Sequence, residues 1–328
     1  MALRSEDVVS VLVLNLNGRE HLADCFESLR AVTGAAFEAV LVDNGSTDGS
    51  IDFVRRDFPE VRVVAFGENL GFAGAYDRAV RESPHELCLL LNNDVKVAPG
   101  FLKPLVCALT LDPSVAIAGS RLVAFADGET VDHAGGRFTM LGGGADLDKF
   151  AKSAPGQGPT ATAFACGAAL LVRKSVFVEL GGFDPDYVIY HEDVDLAWRA
   201  WMRGHRVVHV PESVVYHKGG ALMGTPESPH RLYLSQKNRW RNAIKNFGAA
   251  RLAESLAVSI AFDVVRLLRF AANRDGERIR ALLKADREIV AEMPRLLARR
   301  RVVQRARKRS DADLARLARP RVPHRDIA

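Results

Sequence analysis

The chain has 328 residues, 48% of them hydrophobic and 26% charged, so it can bury a sizeable core and is neither disordered nor collagen-like. At roughly 150 residues per domain, the length allows one large core or a core with an appendage. The net charge of +5 is uneven: residues 295–328 hold twelve Lys or Arg against three Asp or Glu, which leaves 33 basic and 37 acidic residues in the remainder. A mildly acidic body therefore carries a basic C-terminal run, a composition suited to anionic lipid headgroups, nucleic acid or solvent.

Arg4, Glu6 and Asp7 precede the first strand-like run without the basic, apolar, small-residue order of a signal peptide, which predicts a cytoplasmic protein. Val8 to Leu14 is a nearly continuous β-branched and aliphatic run, as expected of a parallel strand covered on both faces. Asn17-Gly18 turns the chain, and Leu22, Phe26 and Leu29 recur at helical spacing. Glu38 to Val42 reads as a strand, Ser50 to Arg56 as a helix, and Val61 to Phe66 as a strand. Ala73 to Arg81 reads as a helix and Glu86 to Leu91 as a strand. This alternation predicts right-handed crossovers and a doubly wound α/β sheet, with ligands beyond the carboxyl ends of the strands.

Past residue 120 the pattern loosens into Gly135-Gly136, Gly142-Gly143-Gly144 and the stretch Ser153 to Gln157, read as a mobile loop over that crevice. Regular structure resumes at Phe164. From about Pro229 the chain reads as helices, so the expected division is a catalytic domain over 1–225 and a helical extension with a basic tail over 226–328. Within that extension, Ala257 to Ala272 is the most apolar part. Asp263, Arg266 and Arg269 interrupt it well short of the ~20 residues a membrane span needs. It predicts an amphipathic helix packed on the domain or lying in a membrane interface. Cys25, Cys88, Cys107 and Cys166 form no CxxC pair, which argues against a zinc site or a disulfide framework.

The residues that follow each strand share one rim. After the second strand comes Asp43-Asn44-Gly45-Ser46; Asp43 could accept the imide N–H of uracil or thymine or a ribose hydroxyl, or cap the turn. Asp48 suits the cap of the next helix. Asn69 to Ala75 is small and Gly-containing, either letting backbone approach a nucleotide or simply starting a helix. Asn92-Asn93-Asp94 closes the fourth strand. In His191-Glu192-Asp193-Val194-Asp195, three acidic residues in four positions exceed what helix capping requires, while Asp195 and Arg199 are placed for a structural ion pair. His217 ends a strand-like run; His191, His205 and His209 read as structural. Trp198 and Trp201 read as packing residues, and Trp240, among Lys and Arg, as a candidate for lipid phosphate.

The ordered blocks LVDNGSTDGS, NLGFAGAYDRAV, LLNNDV and GGFDPDYVIYHEDVDLAWRAWMRG, between about Val8 and Gly220, resemble the family 2 glycosyltransferases, in particular their bacterial rhamnosyltransferase-like branch. The resemblance implies a GT-A fold and inverting transfer of a sugar, such as L-rhamnose from dTDP-rhamnose, in cell-surface polysaccharide biosynthesis. It implies a dTDP- or UDP-sugar donor held by Asn15, Asn17, Asp43, Asn69, Gly71, Asn92 and Asn93. Asp94, aided by His217, would hold Mg²⁺ or Mn²⁺ on the donor diphosphate. Asn92 stands where many members have Asp, so one formal charge is missing. Asp193 would be the general base, with Glu192, Cys166, Gly167 and Asp184 walling the acceptor pocket. The acceptor would be a saccharide or a polyprenyl-linked saccharide. Peripheral contact with the inner membrane face through the C-terminal helices and basic tail fits this reading, as does self-association; nucleic acid is not an expected partner. The competing readings are a nucleotidyltransferase, for which Gly18-Arg19 is too little of a triphosphate loop, and a non-catalytic carbohydrate- or nucleic-acid-binding protein with a decayed site.

Overall fold

The computed structural model describes residues 8–152, 156–219 and 228–317. Its first half alternates as the sequence predicts: β1 (Val9–Asn15), α1 (Arg19–Arg30), β2 (Phe37–Asp43), α2 (Ser50–Asp57), β3 (Arg62–Ala65), α3 (Gly71–Glu82) and β4 (Leu87–Asn92). The short strand β5 (Val95–Val97) and helix α4 (Leu102–Leu111) lead into β6 (Val115–Ala124). The central sheet also takes in β10 (Thr160–Ala161), β11 (Ala169–Arg173) and β12 (Arg206–His217), in the order β10-β12-β6-β11-β4-β1-β2-β3. The pairs β1–β2, β1–β4, β2–β3 and β6–β12 are parallel, whereas β11 runs antiparallel between β4 and β6. The sheet is mixed but mostly parallel, with helices on both faces.

Successive strand side chains point to opposite faces, which explains the unbroken apolar runs. Val9, Val11 and Val13 of β1 join Leu22, Phe26 and Leu29 of α1 in one core. Leu12 joins Val40, Tyr76 and Leu90 in the other, together with Trp198 and Trp201 of α6 (Glu192–Arg203). Both tryptophans are buried, as the packing reading expects. Register sets the rim: Asn15 of β1 pairs with Asp43 of β2, and Leu14 pairs with Asn92 of β4. The polar ends of three strands therefore meet at one edge.

The Gly-rich stretch is not the structureless loop that its composition suggests. It contains β7 (Val131–His133), which pairs with β6, and the hairpin β8 (Gly136–Phe138) and β9 (Gly144–Asp146). Its glycines mark close approach instead: a Cβ on Gly136 would lie 1.9 Å from the Phe164 ring, and one on Gly142 2.2 Å from the Arg239 carbonyl. Residues 153–155 of the expected loop lie outside the described residues.

Helix α5 (Lys174–Glu179) follows β11, and among the described residues beyond 228 there are four helices: α7 (Pro229–Asn246), α8 (Ala249–Ala272), α9 (Gly276–Arg305) and α10 (Asp311–Leu317). No described helix is long and apolar enough to cross a membrane. The basic run from residue 295 is not a tail over its first half. Arg300 donates to the carbonyls of Ile244 and Phe247, Gln304 reaches those of Lys245, Asn246 and Phe247, and Arg309 reaches those of Gly204 and His205. These contacts satisfy carbonyls that the C-terminal ends of α7 and α6 leave open.

Candidate active site

A cavity of about 500 Å³ opens at the strand-end rim, within the size range of small-molecule sites. Its lining includes Asn17, Asn44, Asn69, Gly71, Asn93 and Asp94. Asn92, Phe72, Val188 and Ile189 contribute further walls. Of the expected donor-binding residues, Asn17, Asn69, Gly71, Asn92 and Asn93 reach this cavity.

Asn15 and Asp43 lie beneath it. Asp43 is buried; its Oδ1 accepts from the backbone N–H groups of Gly45 and Ser46 at 3.2 and 2.9 Å, and its Oδ2 from Asn15 Nδ2 at 3.3 Å. The turn-capping alternative thus describes its contacts, and Asn44 is the neighbour that faces the cavity. Asn15 Oδ1 in turn accepts from Asn93 Nδ2 at 2.7 Å. Gly18 leaves room for this pair: a Cβ there would stand 2.1 Å from Asn93 Nδ2 and displace the amide. Asp48 accepts from the N–H groups of Ser50 and Arg19, so it tethers the starts of both α2 and α1.

Asp94 and His217 are brought together. Asp94 Oδ1 is buried and stands 3.5 Å from His217 Nε2, with no hydrogen-bond partner among the described residues. On the far side of the ring, His217 Nδ1 meets Asp132 Oδ2 at 2.7 Å. Burial opposes charge on His217, yet the two carboxylates push its pKa up to about 9. Two carboxylates around one imidazole demand a positive charge, and a divalent cation would supply it in place of the proton. An oxygen ligand, an imidazole and a carboxylate orienting that imidazole form a donor set that fits a hard or borderline divalent ion.

Asp132 begins a ladder of polar contacts: Lys149 lies 3.3 Å from it, Asp146 lies 3.0 Å from Lys149, and His133 Nδ1 lies 2.9 Å from Asp146. The other nitrogen of His133 is 3.1 Å from the backbone N–H of Cys166. The next residue, Gly167, donates its N–H to Asp193 Oδ2 at 3.0 Å. This ladder links the Asp94 side of the site to the Asp193 side, and the sequence reading overlooked all four of its side chains. A signal existed in the Val-Asp-His run, where two titratable residues stand side by side within a Gly-rich segment.

Asp193 opens α6 but does not line the cavity. It keeps partial solvent exposure beside Gly167, whose Cβ would lie 3.3 Å from the cavity residue Phe72 and 3.8 Å from Asp193 Cβ. Burial raises its pKa, against the N–H groups of Gly167 and Val194 that favour the carboxylate. Glu192 is buried, and desolvation with the adjacent Asp193 pushes its pKa well up; its Oε2 has no hydrogen-bond partner among the described residues. Burial also pushes the Cys166 thiol well up. Asp195 is the expected ion-pair member, 2.7 Å from Arg199; despite burial, Arg199 and Lys245 hold it at about 2. Asp184 is not among the residues lining this cavity; it pairs with Lys245 at 2.9 Å and with Arg299 of α9, so its side chain anchors helices.

The segment before Asp193 is strained. Val188, Tyr190 and His191 have φ of 57, 72 and 67°, and a β-branched residue rarely adopts such values. Asn238 of α7 holds the segment, donating Nδ2 to the carbonyls of Tyr187, Ile189 and Tyr190 at 3.0, 2.9 and 2.7 Å. Tyr187 donates its hydroxyl to Asn242 at 2.6 Å. These two asparagines were also missed, because a polar residue on a helix gives no sequence sign of facing inward.

Residues 10–181 match the sequence model of glycosyl transferase family 2. The N-acetylglucosaminyl-diphospho-decaprenol L-rhamnosyltransferase of Mycobacterium tuberculosis is 29% identical over 249 residues, which cover 68% of this chain and 80% of that protein. The pre-mycofactocin glycosyltransferase of Mycobacterium tuberculosis is 28% identical over 64% of this chain and 42% of its own length. Among solved structures, residues 1–349 of Staphylococcus aureus TarS in complex with UDP-GlcNAc align with a TM-score of 0.57 at 17% identity, covering 91% of this chain and 86% of that one. GalNAc-T7 with UDP, GalNAc and Mn²⁺ aligns with a TM-score of 0.57 at 18% identity, covering 73% and 48%. The nucleotidyltransferase and decayed-site readings give way to these matches, and with half of its length matched by the family's model the chain belongs to glycosyl transferase family 2, as a glycosyltransferase of GT-A fold.

Proposed function

We propose that this glycosyltransferase moves a sugar, with inversion, from a nucleotide-sugar donor to a lipid-linked saccharide in cell-surface polysaccharide biosynthesis. L-Rhamnose from dTDP-rhamnose is the favoured donor, with a UDP-sugar as the alternative. The observation that carries the reading is the buried Oδ1 of Asp94, a cavity-lining residue, set 3.5 Å from His217 Nε2 with no other polar partner among the described residues. The choice of sugar and acceptor draws on the printed activity of the mycobacterial relative.

Asn17, Asn44 and Asn69 offer donors and acceptors to the nucleoside, and the open backbone at Gly71 lets it approach closely. Asp94 and His217 would hold Mg²⁺ or Mn²⁺, which when bound neutralises charge on the diphosphate leaving group. Asp193 takes the proton from the acceptor hydroxyl as the oxygen bonds to the anomeric carbon and the bond to the diphosphate breaks. Its raised pKa makes it a stronger base than an exposed carboxylate, and the Gly167 and Val194 N–H groups fix its aim. Glu192, Cys166 and Gly167 border the acceptor.

The test is release of nucleoside diphosphate from a panel of dTDP-, UDP- and GDP-sugars, with Mg²⁺, Mn²⁺ or EDTA and a short-chain pyrophosphoryl saccharide as acceptor. Metal-dependent release from one donor, abolished in Asp94→Asn, supports the reading. Turnover that EDTA leaves intact would overturn the metal role, and a preference for GDP-sugars would overturn the donor assignment.

A further inference from the structure

Helix α8 is amphipathic in the inverted sense. Its buried residues are Ser255, Ser259 and Asp263, four apart and therefore on one stripe. Ser255 donates to the Met140 carbonyl at 2.6 Å, and Asp263 accepts from Gln236 at 2.8 Å and pairs with Arg239 of α7. The outer face carries Val258, Ile260, Phe262, Val264, Val265 and Leu268, each 40% exposed or more. Between Ser255 and Leu268 every exposed side chain is apolar; the two charged residues there, Asp263 and Arg266, are buried and half-buried. A helix on a water-facing surface shows the opposite distribution, and so continuous an apolar face marks contact with something other than water.

The partner helix α9 supplies the sign of that partner's charge. From Arg280 to Val302 its exposed residues are all apolar or basic, with Leu283, Val290 and Leu297 set among Arg280, Lys284 and Arg287. Its acids in this span turn towards α7: Asp286 accepts from Trp240, Glu288 pairs with Lys237, and Glu292 pairs with Arg241. At the α8–α9 turn Arg269 and Arg274 are exposed and outnumber the one exposed acid there, Glu277.

We propose that the outer face of the α8–α9 hairpin seats the enzyme on an anionic lipid bilayer. Apolar side chains entering the acyl boundary while arginines and lysines meet lipid phosphates is the chemistry of an interfacial helix. A second copy packed on the same face would bring Arg280, Lys284 and Arg287 no exposed acid from the Ser255–Leu268 span of α8 or the Arg280–Val302 span of α9, whereas lipid phosphates would. The hairpin also adjoins the site. Met140, bonded by Ser255, lies between β8 and β9, and a Cβ on Gly143 at that tip would stand 3.2 Å from His191, two residues before Asp193. The inference deepens the lipid-linked acceptor assignment and rests on that reading for its purpose.

The experiment is flotation of the full chain with vesicles of phosphatidylcholine alone or mixed with phosphatidylglycerol, without donor or acceptor. Success or failure of vesicle binding is thereby separate from success or failure of sugar transfer. The expected result is flotation with the mixed vesicles, reduced by salt. Binding should weaken at least about tenfold in Ile260→Glu/Val264→Glu/Leu268→Glu, and also in Arg280→Gln/Lys284→Gln/Arg287→Gln. Both variants change exposed positions, and their unaltered melting temperature and donor turnover would show that they fold. No flotation of the wild type, or equal flotation of both folded variants, overturns the proposal. So does a dimer seen by light scattering that the apolar-face variant alone dissolves.

Discussion

Asp132 Oδ2 stands 2.7 Å from His217 Nδ1, on the opposite side of the imidazole from Asp94. A carboxylate in this place fixes the ring's orientation and makes its free nitrogen a better ligand, and losing such a partner weakens metal affinity about 10–100-fold. Asp132→Asn is therefore expected to weaken Mn²⁺ binding in the presence of nucleoside diphosphate by that factor, with nucleotide binding in EDTA unchanged. Titration calorimetry separates the two. Unchanged Mn²⁺ affinity would mean that His217 is not a ligand.

The proton acceptor is tested through Asp193. Asp193→Asn should lower transfer by about 10²–10⁴-fold while leaving donor affinity near wild type. The base must be ionised to work and burial raises its pKa, so the rate should climb with pH through a value above the ordinary 3.8 of aspartate. A pH profile of kcat/KM that is flat above 4, or near wild-type transfer by the Asn variant, would remove Asp193 from the mechanism.

Glu192 gives a prediction about stability. Burial and the neighbouring Asp193 raise its pKa in the folded state above the ordinary 4.5, so the folded chain keeps a proton that the unfolded chain has released. Stability from this group is complete below about 4.5 and is lost as pH rises towards the raised value. Glu192→Gln stays neutral throughout. Its melting temperature should match wild type at pH 4 and exceed it at pH 8, by roughly 1–2 °C for each kcal/mol relieved. The reverse pH order, measured by calorimetry, would contradict the burial argument.

Strain before Asp193 makes Asn238 a positioning residue. Asn238→Ala leaves the Tyr187, Ile189 and Tyr190 carbonyls without this amide and is expected to cost about 1–3 kcal/mol of stability. A purely structural role predicts that loss alone. A positioning role also predicts a several-fold rise in acceptor KM below the melting range, with donor KM unaffected, which steady-state kinetics in both substrates would distinguish.

The alternation from Val8 to Leu91 was legible because parallel strands covered on both faces write unbroken apolar runs, and the rim followed from the strand ends. Asn69, Gly71, Asn93 and Asp94 reached the cavity because residues after strands have little choice of where to go. The ladder of polar contacts through Asp132, Lys149, Asp146 and His133 was not legible. Its members stand on short strands and turns within a segment whose glycines read as looseness, although they record backbone packed against Phe164 and Arg239. The inward polar faces of α7 and α8 were hidden for a related reason: periodicity reports where apolar residues recur, and here buried positions are held by Asn238, Asn242, Ser255 and Asp263.

The same blindness applies to the basic C-terminal run, which reads as an appendage and is built in. Arg300 and Gln304 bond the open carbonyls from Ile244 to Phe247, and Arg299 meets Asp184, itself paired with Lys245. A truncation at residue 294 would strip the C-terminal end of α7, the helix that clamps the segment before Asp193 through Asn238. Such a truncation should lower the melting temperature and reduce transfer to a short-chain soluble acceptor as well as to a vesicle-borne one. Arg300→Ala/Gln304→Ala should reproduce part of the loss, about 1–3 kcal/mol by denaturant unfolding, since buried carbonyls are left without donors. If instead the truncated chain melts as wild type and loses activity only on vesicles, the run serves lipid alone and its contacts with α7 carry no stability.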